Sequence, residues 1–276
     1  MSNVRPRVVS VPQKPNSVQS KAYHVFSNSL WRVKQLIEFG VVGIDKELEE
    51  KLQPLLDKFA EVNGIRGRYP SEHKPQVKKI GEEAGEITFE IDGRSAAMIK
   101  KVLEVQYKRH DDLRYFFYAN LAVTLWASFE TYNALLFEEL FRRKPDMLKS
   151  SEQITVKDVI ENSSDLIEFL IERQLENIGH LKLNEVVDYY KKRTGIEITA
   201  VQLKRLELYY LIRNLVAHKN GILRPQQKVK ASKDLRIVGD EVRISKTFLL
   251  RMANQIENTV KFIEESACDK YFQPKV

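Results

Sequence analysis

Apolar positions along the chain recur with helical spacing in most segments. From Tyr23 to Phe39 they fall at Phe26, Leu30, Val33 and Ile37, and Gly40 and Gly43 then end the pattern. A second helix is expected to carry Leu48, Leu52, Leu55, Leu56 and Phe59 on one side. Between Gly64 and Gly93 the texture changes. Gly64, Gly67, Pro70, Pro75, Gly81 and Gly85 break any helix, while EITFEIDG alternates Ile87, Phe89 and Ile91 with polar neighbours, as a short strand before a turn does. The stretch from Ser95 to Lys144 then holds no glycine or proline, which predicts one kinked helix or two.

Residues 154 to 178 predict one or two further helices, through Val156, Val159 and Ile160 and then Leu166, Phe169, Leu170 and Ile171. LNEVVDYYKKRTGI reads as a short helix closed by Gly195. ITAVQLKRLELYYLIRNLVAHKNG reads as a helix that starts near Thr199 and stops at Asn220 and Gly221. A hairpin around Gly239 and Asp240 and a last amphipathic helix, KTFLLRMANQIENTVKFIEESA, complete the pattern. The expected fold is mainly α with one or two minor strand pairs. Its expected segments are a mobile basic arm over residues 1–20, a helical region with a short strand over 21–95, and a helical domain over 96–276.

Composition narrows the partners. The 276 residues are 43% hydrophobic, enough for a substantial core. A net charge of +7 and a pI near 9.2 tilt recognition towards phosphate-bearing molecules. The single cysteine, Cys268, allows no internal disulfide and no cysteine-based zinc site, and suits a reducing cytoplasm. No run approaches the length of a membrane span, and the polar, proline-containing start lacks a signal-peptide core. The expectation is a cytoplasmic protein that engages no membrane.

The stretch RNLVAHKNGIL, residues 213 to 223, carries the most specific chemistry. At about 100° per residue, Leu208, Leu211, Ile212 and Leu215 share one sector, expected to face the core. Arg213, Asn214, Ala217 and His218 spread over the other half, with Ala217 between Arg213 and His218 and Tyr210 two turns below. Asn214 and His218, four apart, are neighbours, whereas Arg213 and His218 flank a gap. A second copy of the helix packed across this face would bring two such pairs into one cleft. Histidine moves protons near neutral pH, and arginine binds phosphate and stabilises added negative charge. RNA carries its own nucleophile, the 2′-hydroxyl, so this pair suffices to cleave it without a metal or cofactor. The plainer reading makes Arg213 a surface ion-pairing residue, and has His218 and Lys219 complement the negative end of the helix.

RNLVAHKNGIL resembles the signature of HEPN domains, the higher eukaryote and prokaryote nucleotide-binding family, in which Arg, a polar residue, a short spacer and His follow one another on a helix. The trailing Asn-Gly-Ile, the basic loop, the hairpin RIVGDEVRIS and the closing helix are similar to stand-alone bacterial HEPN ribonucleases of toxin and antiviral defence systems. The likeness covers about residues 96–276. It implies an up-and-down helical bundle that forms a homodimer through the motif helices and acts as a metal-independent nuclease, with an antitoxin or defence-system protein as a further partner. It makes Arg213 and His218 the catalytic pair, with Asn214 in support. It also implies an acidic residue on an earlier helix that positions the arginine. TLWASFETYNALLFEEL resembles that helix, with Glu130 as the candidate and Glu138 or Glu139 as substitutes. The alternative within the family is a non-catalytic module that binds RNA, a nucleotide or a protein.

Other features carry less. His24, His73, His110 and His180 have no partners at metal-ligand spacing, so no metal site is expected. GIRGRYP lacks the lysine and hydroxyl residue of a phosphate loop, and no serine sits in a nucleophile elbow. Lys219, Arg224, Lys228, Lys230, Lys233 and Arg236 follow the motif with only Asp234 opposing, and either grip RNA phosphates or form a solvated loop. Tyr210, with Tyr209, Phe116, Phe117 and Tyr118, either stacks on bases or belongs to the core.

Overall fold

A computed structural model of the chain describes residues 19–58, 77–83, 86–148, 154–224 and 235–273; for residue 58 and the two strands within 77–91 it describes the backbone alone. The fold is mainly α. Helix α1 (Lys21–Phe39) is followed by α2 (Val42–Lys46), a π-helical turn (Glu47–Leu52) and α3 (Gln53–Lys58). Strands β1 (Val77–Glu83) and β2 (Glu86–Ile91) pair antiparallel, with a bulge between Lys79 and Gly81. Next come α4 (Gly93–Arg143), α5 (Val156–Glu161), α6 (Leu166–Gly179), α7 (Leu183–Thr194) and α8 (Ala200–Lys219). A second hairpin, β3 (Leu235–Val238) with β4 (Glu241–Ile244), turns at Gly239 and Asp240 as expected. Helix α9 (Lys246–Ala267) and a π-helical turn (Cys268–Phe272) end the described chain.

Each boundary has a local cause. Thr199 caps α8 by accepting from the Gln202 amide, and the Gln202 side chain accepts in return from the Thr199 amide. Ser245 caps α9, and Gly195 closes α7 in a left-handed conformation at φ 64°. The 51 residues of α4 form one helix, because nothing between Ser95 and Lys144 removes a backbone donor or frees the backbone.

Packing groups the chain into two compact units, residues up to Glu38 with Tyr118 onwards, and Phe39–Phe117. The first helix therefore belongs with the C-terminal portion, not with the segment 21–95 in which periodicity alone would place it. Its stripe of Phe26, Leu30, Val33 and Ile37 is buried as the pattern predicts. In the second unit Leu48 and Leu52 are buried but Leu55 is exposed, and Phe59 lies outside the described residues.

Side-chain pairs fix the directions in the first unit. Along α1, Ala22 N donates to Glu139 at 2.8 Å, the Phe26 ring lies 5.7 Å from Tyr132, and Ser29 bonds Ser128 at 2.7 Å, so α1 and α4 run antiparallel. Lys34 pairs with Glu257 at 2.6 Å and Glu38 with Lys246 at 3.0 Å, so α1 and α9 are antiparallel too. Arg205 reaches Gln255 at 2.5 Å and Tyr209 packs on Phe248 at 5.9 Å, which makes α8 antiparallel to α9. This is an up-and-down bundle. Ser20 is no part of a loose arm: it is only 1% exposed, and its amide and hydroxyl both donate to the Glu264 carboxylate, at 2.6 and 2.7 Å. Residues 1–18 lie outside the described residues.

Candidate functional site

Helix α8 buries Leu206, Tyr209, Ile212 and Leu215, whereas Leu208 and Leu211 are half-buried. The covered face is shifted from the predicted one, because α8 packs on α9 through Tyr209 and Phe248 and also on α4 through Tyr210 and Trp126, whose rings lie 5.7 Å apart. Tyr209 and Tyr118 are thus core residues.

The shift changes the setting of Arg213. It lies on the flank of the buried face towards α4, half-buried, and does not share an open face with His218. Its Nη2 meets Glu130 Oε2 at 3.2 Å and its Nη1 donates to Asn214 Oδ1 at 2.9 Å. The other Glu130 oxygen accepts from the Trp126 indole at 2.8 Å. Trp126 and Glu130 are one helical turn apart on α4, so both reach the same side. Exposed ion pairs contribute only about 0–1 kcal/mol, so the Glu130 contact matters for where it holds the guanidinium more than for stability. Glu138 and Glu139 are engaged elsewhere. Glu138 pairs with Arg142 at 2.9 Å, and Glu139 accepts from the start of α1.

His218 is exposed in the last turn of α8, and among the described residues no hydrogen bond or ion pair engages its ring. Five residues from Arg213 along the helix, it points about 140° away around the axis. Asn214, four residues earlier, is turned to Arg213 and not to His218. The helix end beneath His218 is firmly set. Asn220 and Gly221 both adopt left-handed backbone, at φ 48° and 77°, and Gly221 N donates to Leu215 O at 2.9 Å. Gly221 O then accepts from Val242 N at 2.9 Å, so the hairpin braces the Asn-Gly stop.

Of the remaining expected residues, Lys219 is half-buried and Arg224 exposed, both near the end of α8, while Lys228, Lys230 and Lys233 lie outside the described residues. Tyr210, with Arg213 and Glu130, lines a pocket of about 360 Å³ in the first unit. Its walls come from α4, α6 and α7, through Phe129, Leu175, Ile178 and Val186, and Asn133 also lines it. Asn133 is only 6% exposed, and its Oδ1 accepts from the buried Tyr190 hydroxyl at 2.7 Å. Trp126 and Asn133 were within reach of a sequence reading, since they flank Glu130 at four and three residues on one helical face. Tyr190 was not, being 57 residues from its partner.

Among the described residues no group of three or more His, Cys, Asp or Glu side chains is arranged to hold a metal ion, and no helix is long and apolar enough to cross a membrane. Comparison with protein-family models, curated proteins and solved structures finds no match to this chain.

Proposed function

We propose that the chain is a metal-independent endoribonuclease of the HEPN type, active as a homodimer in defence or growth control. The observation that supports this most is the Glu130–Arg213–Asn214 cluster: an acid on an earlier helix holds the motif arginine, and the adjacent polar residue steadies it. Arg213 uses two of its five N–H donors in these bonds and keeps others for a phosphate. His218 removes the proton of a ribose 2′-hydroxyl. The 2′-oxygen then bonds to the adjacent phosphorus, the bond to the 5′-oxygen breaks, and that oxygen takes up a proton. The products are a 2′,3′-cyclic phosphate and a 5′-hydroxyl. Arg213 stabilises the added charge on the phosphoryl oxygens. Because Arg213 and His218 diverge on one helix, the reading places Arg213 of one copy opposite His218 of a second.

The test is cleavage of end-labelled RNA in EDTA. The wild type is expected to cleave, and Arg213→Ala and His218→Ala to lose roughly a hundredfold or more each. Abolition by EDTA, or unchanged rates in both variants, overturns the mechanism. The divergence of His218 from the pocket favours one second reading, a non-cleaving module that binds RNA, a nucleotide or a protein. Salt-sensitive RNA binding without product would decide for it.

A further inference from the structure

We infer that the pocket beside Arg213 is a base-selective subsite, which takes an unstacked RNA base carrying a ring carbonyl and discriminates against adenine. The inference rests on the ribonuclease reading for the identity of its ligand as RNA. Its geometry stands on other residues.

The cavity, about 360 Å³, falls in the range of small-molecule sites and is mainly apolar, as a recess for a planar ring should be. Trp126 and Tyr210 form one wall, and Leu175 and Val186 contribute to the others. Asn133, one of its lining residues, is only 6% exposed, yet only half of its amide is paired within the protein. Its Oδ1 is committed to the Tyr190 hydroxyl, which is itself fully buried and donates that bond. This fixes the orientation of the amide and leaves Nδ2 as the group that meets the cavity. Among the described residues Nδ2 donates to no acceptor. A ligand that covers this donor without supplying an acceptor leaves it unpaired, which is costly, so one that supplies an acceptor binds better. Uracil, guanine and hypoxanthine present a ring carbonyl to this donor. Adenine in the same pose presents its exocyclic amine, a second donor, and brings a ring nitrogen to Asn133 only by turning in the pocket. Arg213 lines the same cavity, so its guanidinium is available to the phosphate of an inserted nucleotide. A base seated in this pocket would therefore hold the adjoining phosphate at the proposed catalytic arginine, and base identity would set where the strand is cut.

The experiment uses the full chain, with uridine, inosine and adenosine monophosphates as probes in calorimetric titrations. Oligoribonucleotides of uridine only and adenosine only serve as substrates. Inosine and adenosine monophosphates match in size and differ at the group that meets Asn133. Wild type is expected to bind the uridine and inosine compounds roughly tenfold or more tighter than the adenosine one. Asn133→Asp keeps the acceptor for Tyr190 but removes the donor, and is expected to abolish that ratio while the circular dichroism spectrum stays native. Ala134→Trp, an exposed position on the pocket wall, is expected to weaken all three probes. Equal binding of inosine and adenosine monophosphates to wild type overturns the inference, as does a ratio that survives Asn133→Asp or binding unaffected by Ala134→Trp. If RNA is cleaved without base preference and the variants change nothing, the subsite fails and the nuclease reading stands. If the mononucleotide ratio behaves as expected but no RNA is cleaved, the nuclease reading fails and the base pocket stands.

Discussion

Glu264 shows how one side chain organises its surroundings. Though only 4% exposed, it accepts from the Ser20 amide and hydroxyl, from the Tyr132 hydroxyl at 3.1 Å, and from Cys268 Sγ at 3.4 Å. Four donors around one carboxylate offset the cost of burying its charge. The same environment acts on Cys268. Burial first, and then the neighbouring Glu264 charge, push its thiol up to about 12. At pH 8 the folded protein therefore holds almost no thiolate, and the thiolate is the nucleophile. Alkylation of Cys268 by iodoacetamide at pH 8 is therefore expected to be slow in the native protein and fast in urea. Equal rates in the two conditions would contradict the buried pairing. Stability should also fall as pH rises past 9, where the unfolded thiol ionises and the folded one does not.

Among the elements, α1 is held at both ends by polar contacts and in the middle by its apolar stripe. Ser20 ties its start to α9 through Glu264, and Lys34 and Glu38 tie the remainder to the same helix. Ser20→Ala leaves a buried carboxylate one donor short, and is expected to lower the unfolding free energy by about 1–3 kcal/mol. Urea denaturation reads the loss, and amide exchange at the start of α1 should accelerate ahead of α9. The helix itself is plain in the sequence, since its apolar positions keep one face. The partner of that face is not, because its contacts on α4 and α9 join residues 99 to 244 positions apart in the chain. For α8 the caps were legible at both ends, Thr199 through its spacing to Gln202 and Asn220 through the glycine after it. The covered face differs from the predicted one because a single wheel assumes one neighbour, whereas α8 packs on α4, α7 and α9.

At the scale of the molecule, the proposed composite cleft makes a prediction that a one-chain site does not. A dimer made from one Arg213→Ala chain and one His218→Ala chain retains one intact arginine and one intact histidine. If the two act across the interface, remixing the inactive variants should restore on the order of a quarter of wild-type cleavage, half of the dimers being mixed with one complete site each. Sedimentation should show twice the 32.2 kDa of the chain. No recovery on mixing, with dimers present, would place both groups in one chain or neither in the reaction.

What the sequence by itself determined is what depends on near neighbours. Helical periods, caps and glycine stops act within a turn or two of the chain, so α1, α7, α8, α9 and the Gly239 hairpin follow from residue order. Arg213, Asn214 and His218 were legible because they lie on one short helix end. The tertiary structure alone decided what each of them meets. Arg213 reaches Glu130 across 83 residues, and Tyr190 orients Asn133 across 57, through contacts set by how α4, α7 and α8 pack. The divergence of Arg213 and His218 is local helix geometry, whereas side-chain packing chooses among faces that local periodicity leaves equivalent, and that choice turned the arginine to Glu130 and into the pocket lining.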